Sequence, residues 1–256
     1  FSAGEEKLEL TALHLTVGAD VNPLQTDNFE RISFEPILTE ASHLNMSIHT
    51  HYDVAADAGD YICNMVNDEK YHFLLVGGGV ATSNLPTDVE AARLHRSMTR
   101  YFGVKKNQKL LFIPNALIKD KTRFFIDNTN SSVGIFVNRD FRIADKVLVA
   151  IQTVSDLPLL NYAKNLIRST SGRMTIMNMA AESDPDYAAI IEAITSFKLM
   201  VNHAYELEGA EIKAESFEGF NFMLISYETW NDVSVRLNNE FMHMPSTLII
   251  RHREVK

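Results

Sequence analysis

Cysteine and tryptophan each occur once in the 256 residues, as Cys63 and Trp230. A single cysteine excludes an intrachain disulfide framework and a cysteine-rich zinc site, and it fits a reducing, cytosolic setting. Basic residues are short too: 24 Lys and Arg stand against 33 Asp and Glu, for a net charge of -9. That balance excludes generic nucleic-acid binding, which needs a basic footprint. No apolar run approaches the roughly 18 residues of a membrane span. The longest, Leu110-Leu111-Phe112-Ile113 and Val147-Leu148-Val149-Ala150-Ile151, suit buried strands. The opening stretch Phe1 to Lys7 is polar, unlike a signal peptide, and begins without Met, which reads as a fragment or excised domain. Also lacking are a nucleophile elbow, a phosphate-binding loop with its lysine, a His-Glu-x-x-His helix and any distinctive carboxylate pair, so no enzyme activity is expected.

What is present is alternation. Apolar runs predict strands at 8–16, 46–52, 73–77, 133–138, 146–152, 174–179, 210–215, 222–226 and 247–251. Helical patterns fall between them at 28–44, 57–69, 120–128, 157–169, 186–206 and 229–241. This succession argues for βαβ units, hence an α/β protein with a parallel sheet. Asp184-Pro185 reads as the start of the clearest helix, with Ile190, Ile194, Phe197, Val201 and Ala204 on one face. Pro36 is expected to kink its helix or start it late. Cys63 sits in the helical apolar stretch 61–66 and reads as core. Trp230, Phe241, Met242 and Met244 also read as core before interface.

The chain repeats itself weakly. Residues 71–77 align with 220–226, residues 131–137 with 245–250, and Asn45-Met46-Ser47-Ile48 with Ala210-Glu211-Ile212-Lys213. Two related α/β halves are expected, 1–141 and 142–256. The first carries an insertion at about 81–119 with no counterpart in the second. There Thr87-Asp88-Val89-Glu90 is a capping-box signature. Arg93, Arg96 and Arg100, then Lys105, Lys106 and Lys109, form a stretch without acidic residues. The plain reading is a solvated helix face; the sharper one is contact with anionic lipid or an acidic partner.

The segments Ala12-Leu13-His14-Leu15, Tyr71 to Gly79, and Asn130 to Arg139 leading into Lys146 to Ala150 resemble a known family. Together they look like tandem universal-stress-protein-like domains, and more specifically like the cytoplasmic C-terminal region of bacterial monovalent cation:proton antiporters. The resemblance implies two Rossmann-like domains with helices on both faces of a parallel sheet. It implies a non-catalytic regulatory or assembly role at the cytoplasmic face of the inner membrane. The partners would be the transmembrane domain of the same antiporter and a second copy in a homodimer, with no nucleic acid. It also implies that the strand around 12–15 is second in its domain, so that the opening strand and helix are missing from the first half. The alternative places 8–16 first and takes a further strand from 109–113.

Stress proteins that bind ATP do so on a glycine turn after the fourth strand, with a Gly-Ser/Thr pair opening the next helix. The matching positions here are Gly77, Gly78, Gly79, Ser131 and Ser132, with Asp156 after the first strand of the second half. The pattern departs from the family's: no Gly-Ser/Thr pair follows at the right spacing, and Ser226-Tyr227-Glu228 replaces the second set of glycines. No cofactor is therefore expected, an adenine nucleotide being the exception to test. His49, His51 and Asp53 alternate along one strand and point to one face. A polar outward face on an edge strand explains them better than a metal, so no metal is expected. His14, His43, His49, His51 and His72 are the candidate pH-responsive groups.

Overall fold

A computed structural model of the chain describes residues 9–17, 26–77, 122–207, 213–237 and 244–253. The chain divides into two compact units, Phe1–Glu69 and Lys70–Lys256. The expected junction near 141 thus falls inside the second unit.

The first unit is built from β1 (Leu10–Val17), α1 (Thr26–His43), β2 (Ile48–Ala55) and α2 (Ala58–Asp68). The strands pair in parallel, from Leu10 opposite Ile48 to Val17 opposite Ala55. Alternation along β1 and β2 puts His14 and Tyr52 on one face, and Leu13, His51 and Asp53 on the other. α1 covers the first face, where Phe34 packs edge-on to His14 at 6.3 Å between ring centroids. α2 begins at Asp57, whose Oδ1 accepts the amide of Asp60 at 3.0 Å. Its Tyr61 reaches over the second face to His51 and Asp53. The face expected to look outward is therefore covered by a helix, although His49 is exposed. Pro36 lies inside α1, which neither ends nor starts late because of it.

The second unit holds β3 (Phe73–Gly77), α3 (Arg123–Asn128), β4 (Ser132–Val137), β5 (Lys146–Ile151), α4 (Pro158–Thr170), β6 (Arg173–Asn178), α5 (Tyr187–Met200), β7 (Ala204–Leu207), β8 (Phe222–Ser226), α6 (Tyr227–Leu237) and β9 (Ser246–Arg251). Among the described residues its seven strands lie in the order β3-β4-β9-β8-β5-β6-β7. All neighbours are parallel except β4 and β9. Strand β5 is apolar on both sides, as a central parallel strand must be. Val147, Val149 and Ile151 join Leu159, Ala163, Ile190 and Ile194 in the core under α4 and α5. Leu148 and Ala150 join Met223, Ile225, Trp230 and Val233 in the core under α6. Each Val, Leu, Ile or Met among them contributes about 1.5–3 kcal/mol on burial.

The antiparallel junction is symmetric. β3 pairs with β4 from Phe73 opposite Ser132 to Gly77 opposite Phe136, and β8 pairs with β9 from Phe222 opposite Ser246 to Ser226 opposite Ile250. Laid on one another, these registers equate Ile135 with Ile249, and the β4–β9 ladder is centred on that pair. A pseudo-twofold axis normal to the sheet passes through it. The expected alignments of 71–77 with 220–226 and of 131–137 with 245–250 have this geometric form.

Strand β9 lies inside the sheet between β4 and β8. Three expectations change. The structure places a strand at Ala204–Leu207; of the expected strand at 210–215, residues 210–212 lie outside the described residues and Ala214–Phe217 forms a 3-10 turn. α5 stops at Met200, and His203, at φ 70°, turns the chain before Ala204 can extend the helical stripe. Asp184 does not cap α5 directly: its Oδ1 accepts the amide of Asp186 at 2.8 Å, forming a turn one step ahead of the helix. The basic positions Arg93, Arg96, Arg100, Lys105, Lys106 and Lys109 lie outside the described residues, as do Gly78, Gly79, Phe241 and Met242.

Candidate functional site

In an open α/β sheet, ligands bind beyond the carboxyl ends of the strands, where successive crossovers leave to opposite faces. In the second unit that point lies between β5 and β8, since α4 covers one face and α6 the other. Asp156 stands there, fully buried in the short 3-10 turn Val154–Asp156 that follows β5. Its Oδ2 accepts the amides of Gln152 at 2.8 Å and Thr153 at 2.7 Å, and the Thr153 hydroxyl at 3.2 Å. The buried Thr229 hydroxyl, in the first turn of α6, lies 3.0 Å from both carboxylate oxygens. A carboxylate so engaged is a clasp between the ends of β5 and β8, with little capacity left for a ligand.

The rest of this edge is occupied in the same way. Helix α6 starts at Tyr227, directly after the last residue of β8, so no loop intervenes. Ser226 Oγ accepts the amide of Thr229 at 3.1 Å, using one of the donors that a helix N-terminus would offer to a phosphate. Gln152 Nε2 donates to Asp232 at 3.0 Å, and Glu228 pairs with Arg251 at the end of β9. Two carboxylates, each held by a neighbour, ring the place where an anion would sit.

Among the described residues, Gly77, Ser132 and Asp156 of the sequence-derived set lie apart. Gly77 ends β3 opposite Phe136, whereas Ser132 begins β4 opposite Phe73. Four residues of strand, about 13 Å, separate the two ends. Because β4 runs against β9, Ser132 shares an edge with Asp156, but β9 and β8 lie between β4 and β5. Three strand spacings amount to about 14 Å. The two serines have other work. Ser131 Oγ donates to the Tyr71 carbonyl. Ser132 Oγ accepts the amide of Arg253 at 3.0 Å and lies 3.5 Å from His252 Nδ1. Tyr162 also approaches that nitrogen, at 3.4 Å. Burial pushes the Tyr162 phenol up.

The clasp of Asp156 by Thr229 was not foreseen. Its sequence signal is slight: an aspartate four residues past a strand and a threonine three residues past another. In the first unit, His51 Nε2 lies 2.9 Å from Tyr61 Oη, which donates to Asp53 Oδ2 at 2.5 Å. Among the described residues no cluster of three or more His, Cys, Asp or Glu is placed to hold a metal, and no helix is long and apolar enough to cross a membrane. His14 is stacked on Tyr52 at 5.7 Å, His43 lies 4.0 Å from Glu40, and His49 and His72 are exposed.

No family model and no curated protein matches the chain. Solved structures do. A universal stress protein from Archaeoglobus fulgidus DSM 4304 superposes with TM-score 0.53 at 12% identity, over 96% of this chain and 86% of that one. The fold is universal-stress-protein-like. A functionally unknown protein from Pseudomonas aeruginosa PAO1 matches at TM-score 0.50 and 9% identity, over 93% of this chain and 91% of its own. At these identities the likeness is one of fold. Set against a stress-protein-like nucleotide pocket, the residues at the ends of β5 and β8 do not fit a triphosphate. The glycine turn is absent, the helix amide at Thr229 is taken by Ser226, and the fixed charge at the mouth includes Glu228 and Asp232.

Proposed function

We propose that this chain is a non-catalytic regulatory and assembly module of tandem stress-protein-like design, in which the second nucleotide pocket has been given over to structure. The carrying observation is the buried carboxylate of Asp156, bonded to Gln152, Thr153 and Thr229. Its oxygens tie the ends of β5 and β8 together. Calorimetric titration with ATP and AMP, with and without magnesium, tests this. Absence of heat at millimolar nucleotide is the expected result, and a micromolar dissociation constant that survives Gly77→Val would place nucleotide in the second half and refute it.

The finer reading makes the module the cytoplasmic part of a monovalent cation:proton antiporter. Its support is the sequence resemblance through 12–15, 71–79 and 130–150. Ion movement would then belong to membrane helices elsewhere in the polypeptide, and the module would act by favouring one arrangement of the transporter. The full-length gene decides: it must encode about a dozen apolar helices of about 20 residues, and finding none would sink the reading. The second reading is a soluble tandem stress protein that binds adenine nucleotide in its first half. Its observation is Gly77, exposed at the carboxyl end of β3, where a Cβ would meet nothing within 4 Å. Binding lost on Gly77→Val would favour it.

A further inference from the structure

Of the five candidate pH-responsive histidines, His51 is the one that, among the described residues, hydrogen-bonds to a second element. Its Nε2 on β2 lies 2.9 Å from Tyr61 Oη on α2, and that hydroxyl donates to Asp53 Oδ2 at 2.5 Å. A tyrosine has one proton to give. With it committed to Asp53, the phenol oxygen can only accept, so the hydrogen between the two rings belongs to His51 Nε2. The chain therefore runs one way, from His51 to Tyr61 to Asp53, and ends on a carboxylate. A cation at its head strengthens both bonds. The surroundings are otherwise acidic. Opposite His51 on β1 is Leu13, between Thr11 and Leu15. Residues 48–68, through β2 and α2, hold Asp53, Asp57, Asp60 and Asp68 and no Lys or Arg. Asp57 and Asp60 bear on Cys63, and Glu69 bears on Tyr61. His49, two residues earlier on the same strand, is exposed. An imidazolium at His51 is the charge this face lacks.

We infer that His51 is a proton-operated latch on α2. Protonated, it clamps the helix, with its buried Cys63 and Val66, to the sheet through the chain to Asp53. Neutral, it makes the same bond without charge, and α2 opens more often. The added stability is present on the acid side and is lost as pH rises through the range where histidine titrates, about pH 5 to 8. The latch asks nothing of the nucleotide or transporter readings.

Amide hydrogen exchange of α2 in the 256-residue chain makes the test, read as protection factors so that the intrinsic pH dependence of exchange cancels. Protection at 62–66 should fall about fivefold between about pH 5.5 and about pH 8, while the amides of β5 stay unmoved. His51→Gln can still donate to Tyr61 but does not titrate, and it should remove that dependence. His14→Gln, on the other face of the sheet, should keep it. The unaltered chain gives a second reading by nitrogen NMR of the imidazole: the neutral ring of His51 should carry its proton on Nε2. Three results overturn the inference: protection that is flat or rises with pH, a dependence that survives His51→Gln, and a neutral ring protonated on Nδ1.

Discussion

The Ser132 hydroxyl accepts the backbone amide of Arg253 at 3.0 Å, across the antiparallel junction of β4 and β9. The same bond is made in reverse, since Ser246 Oγ accepts the amide of Arg139 at 2.9 Å. Both serines are buried, and each is the first residue of its strand. These reciprocal bonds close the two ends of the junction whose centre is the Ile135–Ile249 pair.

Removing either hydroxyl leaves an amide without its acceptor beside a buried strand end. Ser132→Ala and Ser246→Ala should each cost about 1–3 kcal/mol. Because the two ends of one ladder are coupled, the double variant should depart from the sum by more than about 0.5 kcal/mol. Urea unfolding of the four proteins reads this directly, and strict additivity would mean that the two bonds act independently.

Thr229 and Asp156 should behave as one unit. Thr229→Val removes the side-chain donor that crosses from β8 to the β5 turn and should cost about 1–3 kcal/mol. Asp156→Asn replaces one accepting oxygen by a donor facing two backbone amides, so it should cost at least as much as Thr229→Val. If the proposed role is right, neither variant alters nucleotide response, which a thermal-shift series with ATP would confirm.

Much of this architecture was legible. The strands at 73–77 and 222–226 are placed to the residue, and their registers against β4 and β9 run in step. Apolar runs report burial, and burial on both faces leaves few other structures for Val147–Ile151 to adopt. The strand at Ala204–Leu207 was missed because helical spacing carried Ala204 along with Ile190 and Phe197; a positive φ at His203 leaves no hydrophobic trace. Ser131 and Ser132 carry an ambiguity of a different kind. A serine at a turn suits a phosphate and a strand clasp equally well, and the identical spacing from Ser132 to Arg139 and from Ser246 to Arg253 gains meaning only once β4 is known to run against β9.

In the first unit, Tyr61 and Asp53 titrate against each other. Donation to Asp53 pushes the Tyr61 phenol up to about 12, and the same bond, helped by the amide of Val54, holds the Asp53 carboxyl below its ordinary value. The folded state thus binds the tyrosine proton more tightly than the unfolded chain, so this stabilisation is complete below about pH 10 and is lost as pH rises toward about 12. The Asp53 contribution has the opposite sense: it is present above about pH 4 and is lost as pH falls through the lowered value. Tyr61→Phe should return the Asp53 carboxyl toward the usual carboxylate range, visible in a carboxyl-carbon NMR titration. An unchanged Asp53 titration would show that the bond does not persist in solution.

Cys63 offers a clean reporter of the same unit. It is the single cysteine, it is buried in α2, and burial followed by the charges of Asp60 and Asp57 pushes its thiol up. Alkylation of the folded chain at pH 8 should run about a hundredfold slower or more than in denaturant. Leu13→Ala, on the sheet face that α2 covers, should raise the folded-state rate without moving the exchange of β5 amides. Equal acceleration in both places would mean that Phe1–Glu69 does not open on its own.

Gly172 supplies the sharpest steric test. It follows Ser171, which takes the left-handed conformation at the end of α4, and leads into β6. A Cβ there would lie 2.7 Å from the Asp145 carbonyl oxygen and 2.8 Å from its Cα. Those are backbone atoms fixed by the Arg173 amide, which donates to the same carbonyl at 2.8 Å. No side chain can rotate away, so β5 and β6 must separate at their start. Gly172→Ala should cost about 1–3 kcal/mol, despite the general tendency of Gly→Ala to stabilise where the backbone is compatible. Gly77→Ala, with open space around it, is the control and should leave the urea midpoint unchanged. A neutral Gly172→Ala would show that the α4–β6 turn yields more readily than its packing against Asp145 implies.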